Sequence, residues 1–169
     1  EALDRAGLSF EAVDAIAASI QKGQKETFLL HGVTGSGKTE VYMQAIDHAM
    51  RADKQAILLV PEISLTPQLV QVFRRRFGRR AGVTHSRMTD QERAWQWKLA
   101  KENRIQVMIG PRSALFTPFS KLGLIVLDEE HETTYKSEQT PRYHARDIAS
   151  AMAEQAGCPL VLGSATPAV

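Results

Sequence analysis

Short apolar runs alternate along the chain with longer segments in which apolar residues return every three or four positions. Phe10, Val13, Ile16, Ala17 and Ile20 follow helical spacing, with Ser9 as the expected N-cap and Gly23 as the stop. Thr27–His31 reads as a short buried strand, followed by a glycine-rich turn and a helix over Lys38–Arg51. Ala56–Val60 predicts a second strand. Thr66–Pro67 then supplies a cap and a first-turn proline for a helix that runs to about Phe77. Ala81–His85 predicts a third strand. Thr89 and Glu92 have capping-box spacing and open a helix reaching about Lys101. Ile105–Ile109 and Leu122–Leu127 predict further strands. A polar stretch, Glu132–His144, precedes a helix near Ala145–Ala156 and a last strand at Leu160–Leu162.

Because the strands are continuous apolar runs and alternate with helices, the pattern predicts an α/β fold: a mainly parallel sheet covered by helices on both faces. With 169 residues and no internal repeat or long linker, one compact domain spanning 1–169 is expected. The net charge of +2 means that any nucleic-acid contact must be local. The single cysteine, Cys158, excludes a disulfide framework or a cysteine zinc cluster and suits a reducing cytosol. The longest apolar runs are too short to span a bilayer, so no membrane association is expected. The chain starts at Glu1 without a methionine and stops at Val169 soon after a motif, and it reads as a fragment of a larger protein.

Chemistry concentrates at two places. Gly32-Val33-Thr34-Gly35-Ser36-Gly37-Lys38-Thr39 fits the phosphate-loop pattern G-x-x-x-x-G-K-[ST], with a strand before it and a helix after it. Glycines let backbone amides wrap phosphate oxygens, and the helix adds the positive end of its dipole. Lys38 is expected to reach the β and γ phosphates of ATP, and Thr39 to hold Mg²⁺. Further on, the strand Leu124-Ile125-Val126-Leu127 delivers Asp128-Glu129-Glu130-His131 to the carboxyl edge of the sheet, where ligands bind. There Asp128 is placed to hold Mg²⁺ through water, and Glu129 to orient and deprotonate the attacking water. His131 has two readings, a hydrogen bond to a neighbour or a functional role.

The phosphate loop, the D-E-E-H box and Gly163-Ser164-Ala165-Thr166-Pro167 follow one another in the motif order of superfamily 2 helicases. Three further stretches resemble the PriA family of replication-restart helicases: Val60-Pro61-Glu62-Ile63-Ser64-Leu65-Thr66-Pro67-Gln68, Ile109-Gly110-Pro111-Arg112-Ser113-Ala114-Leu115-Phe116-Thr117-Pro118-Phe119, and Tyr135-Lys136 with Arg142-Tyr143-His144-Ala145-Arg146-Asp147. The resemblance covers about Leu8 to Ala168. It implies a three-layer RecA-like P-loop NTPase lobe, the first of two, in a bacterial cytoplasmic helicase. Such a helicase couples ATP hydrolysis to 3′–5′ translocation and unwinding at stalled forks and to primosome assembly. Lys38, Thr39, Asp128 and Glu129 would carry hydrolysis, while His131, Ser164 and Thr166 would couple it to movement. Pro61, Glu62, Arg112 and Ser113 would line the single-strand track, and the Tyr135–His144 stretch, with Lys136 and Arg142, would sense DNA. Implied partners are single-stranded and forked DNA, a second lobe of the same chain, and single-strand-binding and primosome proteins. Implied zinc belongs to a module outside this segment. One departure stands out. Many relatives carry an adenine-reading glutamine near the first helix, and the apparent equivalent here is Ala12.

Arg112 follows a buried strand and a proline, and Ser113 and Thr117 add hydroxyls suited to holding a backbone without reading bases. Tyr135 and Tyr143 sit in a polar stretch and favour stacking on nucleic acid. Arg74, Arg75 and Arg76, with Arg79 and Arg80, form a basic helix end that is either solvated or phosphate-binding. Trp95 and Trp97 face different directions, so at least one is expected in the core. The competing readings are another superfamily 2 translocase, a P-loop kinase and an ATP-gated binding module.

Overall fold

In the computed structural model the backbone is described for residues 2–31, 36–128 and 145–164, with side chains from residue 11 onward except that of Ser36. The elements run α1 (Ala2–Lys22), β1 (Thr27–His31), α2 (Ser36–Arg51), β2 (Gln55–Leu59), α3 (Pro67–Phe77), β3 (Ala81–Val83), α4 (Asp90–Lys101), β4 (Val107–Gly110), β5 (Leu122–Asp128), α5 (Ala145–Ala156) and β6 (Leu160–Ser164). Short 3₁₀ turns at Glu62–Ser64, Gly78–Arg80 and Arg112–Phe116 follow β2, α3 and β4.

Among the described residues the strands form one six-stranded sheet in the order β1-β6-β5-β2-β4-β3. Every pairing is parallel. All strand ends therefore share one edge, to which β1, β2, β4, β5 and β6 bring the segments predicted to carry chemistry. One face packs on α1, α2 and α3, with Ile16, Ile20, Ile46, Leu58, Phe73 and Val126 in its core. The other packs on α4, α5 and the 112–116 turn, with Ile57, Leu59, Ile125, Leu127, Ala149 and Leu162. Alternate residues of each central strand thus enter opposite cores, so these strands carry no polar face.

Local capping explains several boundaries. Thr66 accepts a hydrogen bond from the Leu69 amide ahead of Pro67 at the start of α3. Thr89 accepts from the Glu92 amide at 3.1 Å and donates to its carboxylate at 3.0 Å. Gly23 closes α1 with φ at 65°, where glycine escapes the Cβ penalty.

Two expectations are corrected. Ser9 is not an N-cap, because α1 continues back to Ala2 and takes Ser9 into its interior. Strand β1 is not buried. It is an edge strand, and Leu29 is 51% exposed while Phe28 and Leu30 pack on the core. The exposed edge of β3 is handled differently. The amide of Gln96 on α4 donates to the Val83 carbonyl at 2.7 Å, and its oxygen accepts from the Val83 N–H at 2.9 Å. Gly82 makes room for this: a Cβ there would stand 2.8 Å from both the Gln96 oxygen and the Met108 methyl. Of the two flanking tryptophans, Trp95 is exposed and covered by Lys98 at 5.6 Å, while Trp97 is half-buried.

Candidate functional site

Lys38 lies in the first turn of α2, directly after the loop that leaves β1. Asp128 is the last residue of β5. Strand order puts β6 between β1 and β5, so the two ends approach across one strand. Nζ of Lys38 then lies 3.5 Å from Oδ1 of Asp128, with side-chain exposures of 11% and 20%. That shielding separates this pair from ordinary surface ion pairs, which water and salt weaken to little. Thr39 is half-buried beside it.

Tyr42, which no phosphate-loop pattern requires, completes the cluster. It follows Lys38 by four residues and therefore shares its face of the helix. Its hydroxyl donates to Oδ1 of Asp128 at 2.6 Å, and its ring is buried. Gly163 sits beside Asp128 in the β5–β6 register, and Ser164 follows it, buried, at the end of β6. The i, i+4 spacing from Lys38 was the available signal for Tyr42, but it needed the strand order to have meaning.

A second hollow lies at the same edge, beyond β2 and β4. It is a cleft of about 280 Å³ that brings together Pro61, Glu62, Arg112 and Ser113, as grouped by sequence, and adds Ser86 and Arg93. Glu62 is an anchor here: its carboxylate accepts from both the amide and the hydroxyl of Ser86, at 3.1 and 2.9 Å. Thr117 stands apart from this group. It is 5% exposed and donates its hydroxyl to the Ala114 carbonyl at 2.8 Å, so it caps the 112–116 turn instead of facing a ligand. Arg76 also has an internal role, joining α3 to α2 through Asp47 at 2.7 Å and Glu40 at 3.3 Å. A larger open hollow of about 720 Å³ lies on the opposite edge, by Lys54, Lys121 and Met152, and none of the predicted site residues lines it.

Several predicted residues lie outside the described ones: Gly32, Val33, Thr34, Gly35, Glu129, His131, Tyr135, Lys136, Arg142, Tyr143 and Thr166. The side chain of Ser36 does as well.

A parallel sheet with a lysine-bearing helix start facing a carboxylate across one strand is the arrangement of a P-loop nucleotide-binding lobe. The match to a family model agrees: the DEAD/DEAH box helicase model covers residues 12–169, and the chain belongs to that family. Within it, the chain is similar to replication restart protein PriA. It is 49% identical to PriA of Bacillus subtilis over 156 residues, which cover 92% of this chain and 19% of that one. It is 50% identical to PriA of Haemophilus influenzae over 142 residues, 84% of this chain and 20% of that one. With PriA of Treponema pallidum the identity is 47% over 159 residues, 94% and 24% of the two chains. The chain thus spans about a fifth of the length of the relatives it matches.

Two solved structures share the fold at 23% sequence identity. One is the helicase domain of Pyrococcus furiosus Hef, with a TM-score of 0.63 and coverage of 93% of this chain and 32% of that one. The other is RecG bound to a three-way DNA junction, with a TM-score of 0.64 and coverage of 93% and 21%. The fold class expected from the alternating pattern is the one found. Among the described residues no helix is long and apolar enough to cross a membrane.

Proposed function

We propose that this lobe binds MgATP at the Lys38–Asp128 edge and forms one wall of the ATPase site of a replication-restart DNA helicase. The observation that carries the reading is the shielded approach of Lys38 to Asp128 at 3.5 Å, at the mouth of a parallel sheet. An amine, a threonine hydroxyl and a carboxylate form a donor set that fits a triphosphate and its divalent ion. Bound MgATP would supply the scissile phosphoanhydride and the metal charge that offsets its oxygens.

The chain's own residues then divide the work. Lys38 would hold phosphate oxygens together with amides of the 32–37 segment, and Thr39 and Asp128 would hold the metal. Glu129, next along the chain, takes the proton of the attacking water. Ser164 lies one residue beyond the strand partner of Asp128, where a shift at the carboxylate reaches the β6 end directly. His131 and Thr166 belong to the same coupling set.

The second cleft suits a nucleic-acid backbone. Arg112 supplies charge, Ser113 a hydroxyl and Pro61 a rigid wall, while Glu62 holds the turn at Ser86 in place. Tyr135, Lys136, Arg142 and Tyr143 would add contacts to single-stranded and forked DNA. Hydrolysis would drive 3′–5′ translocation between this lobe and a second one, in a bacterial cytoplasmic protein that also engages single-strand-binding and primosome proteins. A second lobe is needed for the arginine finger, worth on the order of 10³-fold or more in related phosphoryl transfers. The isolated 169-residue chain is therefore expected to turn over slowly or not at all.

The test is ATP hydrolysis by the full-length parent with and without forked DNA, beside a Glu129→Gln variant. DNA should stimulate the parent, and the variant should lose turnover while keeping nucleotide binding. Turnover indifferent to DNA would sink the helicase mechanism, and a fully active Glu129→Gln protein would sink the assignment of the base.

A further inference from the structure

The phosphate-loop pattern ends at Thr39, yet α2 sends a second side chain to the same carboxylate. Lys38 and Tyr42 lie one turn apart and converge on a single oxygen, Oδ1 of Asp128, at 3.5 and 2.6 Å. Tyr42 is 3% exposed, and a short O–H···O⁻ contact is among the stronger hydrogen bonds a protein makes. A buried tyrosine needs a partner for its hydroxyl, and a residue of the acidic box supplies one here.

The third member of the arrangement comes from β6. Gly163 is the strand neighbour of Asp128. A Cβ built at 163 would overlap the Tyr42 oxygen, stand 2.9 Å from Cζ of its ring and lie 3.1 Å from Oδ1 of Asp128. Residue 163 is therefore glycine for lack of space. The phenol occupies the volume that any side chain there would need. Three segments far apart in sequence meet at this one hydroxyl: the helix after the phosphate loop, the end of β5 and the end of β6, which carries Ser164.

The geometry points to Tyr42 as a positioning residue that seats the Asp128 carboxylate and holds it in register with the Gly163 strand end. This rests on the reading of Asp128 as the metal-facing carboxylate. Tyr42 touches no substrate atom in this scheme. It limits where Asp128 can stand when the metal is held. It also makes a displacement of Asp128 a displacement of β6, because the phenol is wedged against the glycine. Glycine at 163 and tyrosine at 42 are thus one device.

The test uses the full-length parent and a fluorescent ATP analogue, with binding titrated against Mg²⁺. Tyr42→Phe removes the hydroxyl and keeps the ring. It should raise the Mg²⁺ concentration for half-maximal binding by about tenfold, the usual worth of one hydrogen bond to a charged acceptor. Binding in the presence of a chelator should be unchanged. Asp128→Asn, measured alongside, should raise the Mg²⁺ requirement at least as far. A normal Mg²⁺ requirement in Tyr42→Phe beside a raised one in Asp128→Asn overturns the positioning role and leaves the ATP-site reading standing. A normal requirement in both overturns the two together.

Thermal unfolding supplies a readout without nucleotide. Gly163→Ala should lower the melting temperature sharply in the parent and by less in the Tyr42→Phe background, where the overlapping oxygen is gone. Equal losses in the two backgrounds would overturn the assignment, since a glycine needed for its own sake would not sense the phenol.

Discussion

The free edge of β3 gives the sharpest stability prediction. In a parallel strand the N–H and C=O of one residue point to the same side, and successive residues alternate sides. Thr84, just past β3, donates its N–H to Ile109 on the β4 side, so Val83 aims both of its groups away from the sheet. Val83 is 4% exposed, and its two outward groups are met by the two ends of the Gln96 amide. Gln96→Ala would strand one donor and one acceptor. At about 1–3 kcal/mol for each buried unsatisfied group, and with some water reaching the site, the loss is about 2–4 kcal/mol. For a domain of this size that is a melting-temperature drop of about 5–15 °C. Gln96→Glu is the sharper variant. It keeps an acceptor for the Val83 N–H but turns a carboxylate oxygen toward the Val83 carbonyl. It should therefore be no more stable than the alanine variant at pH 7, and should gain on it as pH falls and the carboxyl takes up a proton to become a donor. The sign follows because the fold disfavours the charged form, so stability is lost as pH rises. Thermal unfolding followed by circular dichroism reads the stability, and light scattering reads the self-association expected of an uncovered edge. A Gln96→Glu protein that melts with the parent at pH 7 would refute the edge-capping argument.

Phe73 is fully buried and meets Phe77 edge to face at 5.1 Å, so Phe73→Ala should cost about 3–5 kcal/mol and lower the melting temperature by on the order of 10 °C. A shift below a few degrees would mean that the α3 core does not hold the domain. Burial pushes the Cys158 thiol up from its ordinary 9.0 to about 11, so a disulfide reagent at pH 8 should label it only as fast as the chain opens. The folded form keeps a proton there that the unfolded chain releases between pH 9 and 11. The parent should therefore lose stability across that window relative to Cys158→Ala, at about 1.4 kcal/mol per pH unit. Prompt labelling of the native protein would contradict this.

Features set by neighbouring residues could be read from the chain alone. The caps at Thr66 and Thr89 act within three residues, and both formed as their spacing implied. Lys38 and Asp128 were recognisable because a phosphate loop and an acidic strand end each carry their chemistry in a few consecutive positions. What escaped depends on which strands become neighbours. Tyr42 and Asp128 are 86 residues apart, and Glu62 and Ser86 are 24 apart. No periodicity links such pairs. Nor could the apolar run at β1 reveal that one face would stay uncovered, because a buried strand and an edge strand of five residues look alike until the sheet order is known. Thr117 was misplaced for a local reason. A hydroxyl in the segment that follows an arginine reads as a ligand until its carbonyl partner three residues back is seen.

The strand order also sets a timetable for synthesis. Strand β1 leaves the ribosome before the other five strands, yet among the described residues it pairs with β6 alone, and Thr27 waits for Leu160. At a translation rate of about 5–20 residues per second, that wait is on the order of ten seconds. Strands β2 to β5 can already be joined to one another by then, while β1 remains without a strand to lie against. When β6 arrives it pairs with β5 on one side and β1 on the other, closing the sheet and bringing Gly163 under Tyr42 in the same act. The edge that carries Lys38 is thus completed only with the last of the six described strands.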